Sequence, residues 1–191
     1  MKLLEERIVK DGVIGEGDVL KVNSFLNHQI DTEFISKLGE EFYRLYRDDG
    51  VNKIVTIEAS GIGIACLTAQ FFKCPVVFAK KSKTSNLNPD VFCASVASYT
   101  HGTVTDVIIS KDFLGPADRV LIIDDFLAKG SALIALSSIV KESGATLVGA
   151  GIVIEKAYQD GGDRVRSMGI RVESLARIAA MDVRTGIRFI D

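Results

Sequence analysis

The stretch VLIIDDFLAKGSAL, residues 120–133, decides the fold class that the sequence predicts. Its four leading apolar residues predict a buried strand, two adjacent carboxylates close that strand, and a loop of small residues leads into a helix from about Ser131. Carboxylates at the end of a buried strand are unfavourable unless they bind something, and the free N–H groups that begin a helix suit a phosphate. The stretch therefore indicates a ligand with sugar hydroxyls beside a phosphate. The alternative is a strand–helix turn whose aspartates only cap the helix.

Strands and helices alternate along the chain in two strand–helix–strand units. Their predicted segments are 53–58, 59–72 and 75–79 for the first unit, and 119–125, 131–142 and 146–155 for the second. This alternation predicts an α/β fold with a mostly parallel twisted sheet flanked by helices. Right-handed crossovers bring the carboxyl ends of parallel strands to one edge, so we expect 58–63, 124–132 and 155–156 to converge on one site.

The segments outside these units are predicted to form shorter elements. They are a helix at 2–10, a strand at 19–22, an irregular stretch at 23–30, a helix from Asp31 to about Arg47, a cationic loop at 80–89, a hairpin of strands 95–101 and 103–110 around Gly102, and strands at 170–180 and 187–190. An insertion as long as 80–110 is more often a functional lid than filler. We therefore expect one domain, 1–191, in which 1–50 includes a small N-terminal hood and 80–110 is a mobile loop with a hairpin.

Length and composition exclude several classes of protein. The chain has 191 residues, of which 47% are hydrophobic and 25% charged, as in an ordinary soluble domain with a good core. Its net charge of −2 offers no footprint for nucleic acid, and no apolar run reaches the roughly 18 residues of a membrane span. The cysteines Cys66, Cys74 and Cys93 have no metal-type or CxxC spacing, which indicates reduced thiols and a cytoplasmic protein. His28 and His101 lack spaced ligand partners, so we assign no metal site.

Three further groups are candidates for binding an anion or a polar ring. Ser60 and Gly61 lie at a helix start that fits an anion, although tight strand–helix packing explains such a turn about as well. Lys81 lies in a cationic loop that could close over an anionic ligand and exclude water, or could simply be solvated. Lys156 follows a predicted core strand, and its ammonium can only donate, which suits a carbonyl oxygen; pairing with Glu155 or with solvent is the alternative.

Residues 120–132 resemble the phosphoribosyl-pyrophosphate-binding motif of the type I phosphoribosyltransferases, in which four apolar residues precede two acidic residues and a loop usually rich in Thr and Gly. The resemblance implies that Asp124 and Asp125 accept hydrogen bonds from the ribose hydroxyls. It also implies that the 5′-phosphate is held by the loop residues Ala128, Lys129, Gly130, Ser131 and Ala132.

This chain departs from the family pattern at two points of that loop. The usual Thr hydroxyls are missing, which leaves phosphate binding to backbone N–H groups, Ser131 and Lys129. Many hypoxanthine–guanine members carry an Asp where this chain has Ala128, and that residue is thought to handle the proton on the purine N7. No acid/base group is therefore assigned at N7 here.

The layout of the whole chain, together with its opening MKLLEERI, resembles the bacterial xanthine branch of the same family. The resemblance implies that the pyrophosphate is taken by Ser60, Gly61 and the cationic loop with Lys81. It matches Ser98-Tyr99 to a Ser-Tyr pair of the family's hood loop, and it places the family's non-proline cis peptide near Ala59-Ser60. The residues that it implies for contact with xanthine are Leu20, Asn27 and Lys156.

The implied reaction transfers the phosphoribosyl group from phosphoribosyl pyrophosphate to xanthine, giving xanthosine monophosphate and pyrophosphate. The resemblance implies a cytoplasmic homodimer of purine salvage, without a nucleic-acid or membrane partner. We expect Mg²⁺ to arrive with the pyrophosphate, because its hard oxygens bind the ion and the sequence shows no protein cage.

Two alternatives stay open at the level of sequence. One is another base, namely guanine, hypoxanthine or adenine, because xanthine differs from hypoxanthine by a single C2 oxygen. The other is a regulator that keeps this fold to sense phosphoribosyl pyrophosphate. Against it, the roughly fifty residues before the first core strand are not basic and show no helix-turn-helix pattern.

Overall fold

The computed structural model describes residues 1–17, 19–82, 90–98 and 103–190, with the backbone alone described at 82, 97–98 and 103–104. Within these residues the helices are α1 (Lys2–Asp11), α2 (Thr32–Tyr46), α3 (Ser60–Phe72), α4 (Ser131–Glu142) and α5 (Gly161–Ser167). The strands are β1 (Val13–Gly15), β2 (Val19–Lys21), β3 (Lys53–Ile57), β4 (Val76–Ser82), β5 (Val91–Ser98), β6 (Thr103–Ser110), β7 (Arg119–Leu127), β8 (Thr146–Lys156), β9 (Val172–Asp182) and β10 (Gly186–Phe189). A π-helical turn covers Asn23–Asn27, and short 3₁₀ turns cover Arg47–Asp49 and Lys111–Phe113.

The strands β3 to β10 form one described sheet in the order β10-β9-β8-β7-β3-β4-β6-β5. The five strands from β9 to β4 are parallel, whereas β10 and the β5–β6 hairpin pair antiparallel with their neighbours. The predicted, mostly parallel α/β sheet is confirmed, and β1 and β2 form a separate ribbon. From the β3–β7 pair the chain order runs outward in both directions, toward β4 and toward β8 and β9. Ligands of α/β sheets bind outside the carboxyl ends of the strands at such a reversal.

The sheet carries a hydrophobic core on each face. One core includes residues of α1, α2 and α3, among them the fully buried Ile8, Phe42 and Ile64. The other includes the buried Leu136 and Ile139 of α4. Because both faces are covered, the central strands are held rigidly and so are the strand ends that carry the candidate site. Within the described residues, no helix combines the length and the apolar character that crossing a membrane requires.

Several predicted boundaries agree with the structure. The α4 helix spans 131–142 as predicted. The α2 helix begins after Asp31, whose carboxylate accepts a hydrogen bond from Phe34 N at 3.1 Å as an N-cap. Gly50 closes the following turn in the left-handed conformation, with φ +67°. These local signals agree because capping and apolar spacing act over only a few residues.

Other elements differ from the prediction. The β4 and β7 strands run on to Ser82 and Leu127, and β5 begins at Val91, four residues before its predicted start. The pattern does not predict β1 or α5. The predicted turn at Gly102 and the 83–89 part of the cationic loop lie outside the described residues.

Candidate active site

The acidic pair occupies the carboxyl end of β7, beside the point where the strand order reverses. Asp124 is 5% exposed, whereas Asp125 is half-buried. Each carboxylate accepts a hydrogen bond from the next backbone N–H, at 3.0 Å from Asp125 N and 2.9 Å from Phe126 N. Burial and the neighbouring Asp125 raise the pKa of Asp124 well above its ordinary range. The remaining oxygens suit a ligand that donates hydrogen bonds, as sugar hydroxyls do.

The turn after β3 brings Ser60 and Gly61 to the start of α3. The peptide bond that joins Glu58 to Ala59 is cis, so the expected position near Ala59-Ser60 is corrected by one bond. Among the described residues no side chain caps the start of α3, which leaves its first N–H groups to a ligand or to water.

Close packing explains why position 61 is a glycine. A Cβ there would lie 2.1 Å from Thr56 Oγ1 and 3.3 Å from Asp124 Oδ1, so only glycine lets the start of α3 approach the acidic pair. Thr56 is fully buried, and its hydroxyl has no hydrogen-bond partner among the described residues. The first turn of α3 is thus held against a side chain of the strand that precedes it.

The loop after β7 opens α4 in a different way. Gly130 is buried and adopts the left-handed conformation, with φ +77°, at the N-cap of α4, again without a side-chain cap. Ser131 and Ala132 follow as half-buried residues of the first helical turn. The Lys129 ammonium forms an ion pair with Asp160 at 3.1 Å. The side chain of Lys129 is therefore engaged next to α5, and the loop offers its backbone to a ligand.

A cavity of about 500 Å³ joins these features. The predicted residues among its described lining are Ser60, Gly61, Lys81, Asp124, Asp125 and Ala132. Lys81 N donates a hydrogen bond to Glu58 Oε1 at 2.6 Å, which ties β4 to the turn after β3. Two carboxylates, two uncapped helix starts and a cation share one concave surface, an arrangement that suits a sugar carrying phosphate groups.

Other predicted site residues stand apart from this lining. The side chain of Leu20 is 6% exposed and belongs to the core beneath the hood. Asn27 is exposed at the end of the π-helical turn, and Lys156 is the half-buried last residue of β8. The described lining of the cavity includes none of these three, so their contact with a base stays a prediction. The side chain of Ser98 and all of Tyr99 lie outside the described residues.

Sequence reasoning missed the support that α5 gives to the site. A Cβ at Gly161 would lie 2.1 Å from Ala128 O, so α5 packs directly on the back of the loop after β7. Glu155, buried at the end of β8, accepts hydrogen bonds from both terminal nitrogens of Arg166 at 2.7 Å each and from Ser174 Oγ at 2.5 Å. The adjacent glycines that open α5 were the available signal, because paired glycines often mark a close approach of two backbones.

Charge explains how Glu155 is tolerated in this position. Burial alone would raise the pKa of Glu155, but the hydrogen bonds from Arg166 and Ser174 bring it below its ordinary value. The carboxylate is therefore ionised and anchors α5 to β8. Because α5 also packs on the loop after β7, this ion pair connects that loop to the strand that carries Lys156.

The described carboxylates that line the cavity are those of the acidic pair and of Glu58, and one oxygen of Glu58 already accepts a hydrogen bond from Lys81 N. Within the described residues, no three His, Cys, Asp or Glu side chains come together as a metal site. Mg²⁺ accepts one or two carboxylates when phosphate oxygens supply other ligands. The donor set therefore fits a cation that enters with a phosphorylated ligand better than one held by the protein alone.

Comparison with known proteins defines the class. The model of the phosphoribosyl transferase domain matches residues 27–168, and the chain belongs to that family. Among its relatives is the xanthine phosphoribosyltransferase of Lachnoclostridium phytofermentans, 55% identical over 186 residues that cover 97% of this chain and 96% of the relative. Another is the xanthine phosphoribosyltransferase of Ruminiclostridium cellulolyticum, 49% identical over 182 residues that cover 95% of this chain and 96% of the relative.

Solved structures agree on the fold. Adenine phosphoribosyltransferase from Rhodothermus marinus superposes with a TM-score of 0.75 at 20% identity, covering 93% of this chain and 99% of that one. The Giardia lamblia enzyme complexed with 9-deazaadenine superposes with a TM-score of 0.74 at 21% identity, covering 87% of this chain and 92% of that one. At these identities the likeness supports the fold alone, and the base must be argued from closer relatives.

Proposed function

We propose that this chain transfers the phosphoribosyl group from phosphoribosyl pyrophosphate to xanthine, giving xanthosine monophosphate and pyrophosphate. One observation carries the proposal: the acidic pair and two uncapped helix starts face one cavity in a chain whose relatives at about half identity are named xanthine phosphoribosyltransferases. We place the reaction in purine salvage.

In this proposal the ribose and its phosphate are held at the end of β7. Asp124 and Asp125 accept hydrogen bonds from the ribose hydroxyls. The 5′-phosphate binds the N–H groups of the loop Ala128–Ala132 at the start of α4, where the positive end of the helix dipole also favours an anion. The Ser131 hydroxyl adds a donor, and the Lys129 side chain acts on the phosphate only at longer range because it pairs with Asp160.

The leaving group occupies the turn after β3. Ser60 and Gly61 donate N–H groups to the pyrophosphate, and Lys81 from the neighbouring strand contributes positive charge. Ser98 and Tyr99, in the insertion 80–110, are proposed to cover this region, with the cationic loop excluding water. Mg²⁺, bound with the pyrophosphate and reached by the acidic pair, would neutralise charge on the departing group.

The chemistry asks for positioning rather than for a covalent intermediate. As pyrophosphate leaves, the ribose gains oxocarbenium character, and nearby carboxylates stabilise that positive charge. Asp124 and Asp125 fix the ribose, so the attacking base nitrogen meets it at the correct angle. Leu20, Asn27 and Lys156 are proposed to hold the xanthine ring, with Lys156 donating to a carbonyl oxygen of the base.

We also propose that residues 1–191 act as one domain, assembled as a cytoplasmic homodimer. The hood and the sheet share a hydrophobic core, which supports a single unit. The three cysteines are unpaired within the described part of the chain, which supports a reducing compartment. Sedimentation equilibrium of the purified chain tests the dimer.

Steady-state kcat/KM for xanthine, guanine, hypoxanthine and adenine, with Mg²⁺ and phosphoribosyl pyrophosphate, tests the function. A clear preference for xanthine is expected. Turnover of a different base would leave the ribose and phosphate roles standing and remove the base contacts from the proposal. Binding of phosphoribosyl pyrophosphate without turnover of any base would instead favour a regulator.

A further inference from the structure

Arg7 of α1 occupies an unusual place beneath the hood. Its guanidinium carbon lies 5.1 Å from the ring centroids of both Phe25 and Phe34. The two rings are themselves edge to face, with centroids 5.5 Å apart. The Arg7 side chain is 27% exposed, so most of its length is packed. Arginine, unlike lysine, can stack on aromatic rings and bond a carboxylate with the same planar group.

The same guanidinium also contacts the beginning of α2. Its Nη1 donates to Asp31 Oδ2 at 3.0 Å, while the other oxygen of Asp31 caps α2 through Phe34 N. Arg7 therefore contacts Phe25, near the start of the segment 23–31, and Asp31 at its end. A single side chain from α1 thus contacts this segment on both sides of Asn27.

The segment 23–31 is short, and it is also held by backbone hydrogen bonds to Val22 and within the segment and by the buried side chains of Phe25 and Leu26. Gln29 N donates to Asn23 O at 2.8 Å, and Asp31 N donates to Phe25 O at 3.1 Å. Asn27 lies between these bonds with its side chain exposed. Holding the segment in one conformation therefore also determines the position of the side-chain amide of Asn27.

The end of the segment lies close to the candidate active site. A Cβ at Gly63 would lie 2.6 Å from Cδ1 of Ile30, so Ile30 rests on the first turns of α3. That helix opens with Ser60 and Gly61, which line the cavity. Arg7 is thus connected, through one packed segment, to the border of the site without lining the cavity itself.

We propose that Arg7 is a positioning residue for the base: it holds the segment 23–31 in a preformed shape, so that Asn27 is placed for the purine before the purine binds. This rests on the proposed function, because it takes Asn27 as a base contact. The described contacts of Arg7 include none of the residues proposed to bind phosphoribosyl pyrophosphate, and the segment meets α3 at Gly63 rather than at Ser60 or Gly61. We therefore expect a larger effect of Arg7 on the base than on phosphoribosyl pyrophosphate.

Arg7→Met tests this, because it keeps the length of the side chain and removes the stacking cation together with its ion pairs to Asp31 and, within α1, to Asp11. We expect the KM for xanthine to rise about tenfold or more, with kcat at saturating xanthine and the KM for phosphoribosyl pyrophosphate within about twofold of wild type. Arg7→Lys keeps the charge but not the planar group that stacks on the rings, so its KM for xanthine should lie between those of wild type and Arg7→Met.

Two control variants separate positioning from general stability. Ile8→Val loosens the fully buried neighbour on α1 without touching the guanidinium, and Lys37→Met removes an exposed cation from α2 that pairs with Glu33. Both should leave the two KM values unchanged. If the xanthine KM of Arg7→Met stays at the wild-type value, or if both substrates weaken equally, the proposal is overturned.

Hydrogen exchange of the ligand-free protein gives a readout that does not depend on the identity of the base. The amides of Leu26, Gln29 and Asp31 should exchange faster in Arg7→Met than in wild type or in Ile8→Val. Unchanged exchange would overturn the proposal even if the wild-type protein turned over no xanthine. An absence of xanthine turnover in the wild-type protein would overturn the proposed function instead, so the two failures are distinguishable.

Discussion

The turn after β3 and the loop after β7 both open a helix toward the acidic pair, but different parts of the chain hold them in place. The first turn approaches the site because Gly61 leaves room for the Thr56 side chain, 2.1 Å from where a Cβ would be. The second is backed by Gly161, whose Cβ would lie 2.1 Å from the backbone oxygen of Ala128. A clash with the Thr56 side chain can be relieved by a second, smaller residue at position 56. A clash with the backbone oxygen of Ala128 can be relieved only if the loop moves. The two anion sites should therefore respond differently to the same substitution.

Removing the charges that both loops face should have the largest effect. We expect Asp124→Asn combined with Asp125→Asn to lower kcat/KM by about 100-fold or more, because amides cannot stabilise a positively charged ribose as carboxylates do. Steady-state kinetics with both substrates measures this, and circular dichroism checks that the fold survives. Asp48→Asn, whose side chain is 92% exposed, serves as the control. Near-wild-type turnover in the double variant would remove the acidic pair from the ribose.

Gly161→Ala should displace the loop after β7. Its methyl group would meet Ala128 O at 2.1 Å and Lys129 C at 2.6 Å, so the phosphate loop has to shift, and we expect the KM for phosphoribosyl pyrophosphate to rise about tenfold. Gly115→Ala, where a Cβ meets nothing within 4 Å, is the matched control. A Gly161→Ala enzyme that loses stability but keeps its wild-type KM would show that α5 does not set the shape of the loop.

Gly61→Ala should disturb the first turn in a way that can be repaired. Overpacking against Thr56 is expected to lower the free energy of unfolding by about 1–3 kcal/mol. Adding Thr56→Ala clears the space and should restore most of that loss, as a double-mutant cycle measured by urea unfolding will show. Strict additivity of the two changes would mean that the contact at 2.1 Å does not limit the approach of α3.

The smallest effect is expected at Lys129. Its ammonium pairs with Asp160 in a half-exposed position, and exposed ion pairs contribute little. Lys129→Met should therefore change the KM for phosphoribosyl pyrophosphate by less than about twofold, and Asp160→Asn should do the same. A tenfold rise for Lys129→Met alone would place the ammonium on the phosphate and contradict the proposal that the loop after β7 binds the phosphate through its backbone.

The central part of the site could be predicted from sequence because local patterns determine it. The strands around Asp124 are continuous apolar runs, which are typical of parallel strands buried on both faces. The glycine before α4 and the small residues after β3 mark helix starts regardless of the rest of the fold. The family resemblance then assigned roles to the acidic pair, which no spacing rule could have done.

The supporting elements could not be predicted because long-range contacts hold them. The α5 helix begins with two glycines and buries one apolar side chain, Val165, so it has no helical periodicity to recognise. It is held because Arg166 of α5 pairs with Glu155 of β8 and because Gly161 packs on the loop after β7. The contact of Arg7 with the rings of Phe25 and Phe34 likewise could not be predicted from a pattern that indicates only an amphipathic helix at 2–10.

Burial of Asp124 also sets how the stability of the protein depends on pH. A carboxyl whose pKa is raised by folding binds its proton more tightly in the folded chain than in the unfolded chain. Its contribution to the free energy of unfolding therefore falls as pH rises from the ordinary aspartate range through the raised folded value.

Asp124→Asn keeps the oxygen that accepts from Asp125 N and removes the charge. We expect the variant to unfold at a higher temperature than wild type near neutral pH, and its advantage should shrink toward acid. Thermal unfolding of both proteins from about pH 4, in the ordinary aspartate range, to about pH 8 measures the difference, and a constant gap across that range would contradict the argument. A carboxylate proposed to bind the ribose is thus one that the folded chain would hold more stably without its charge.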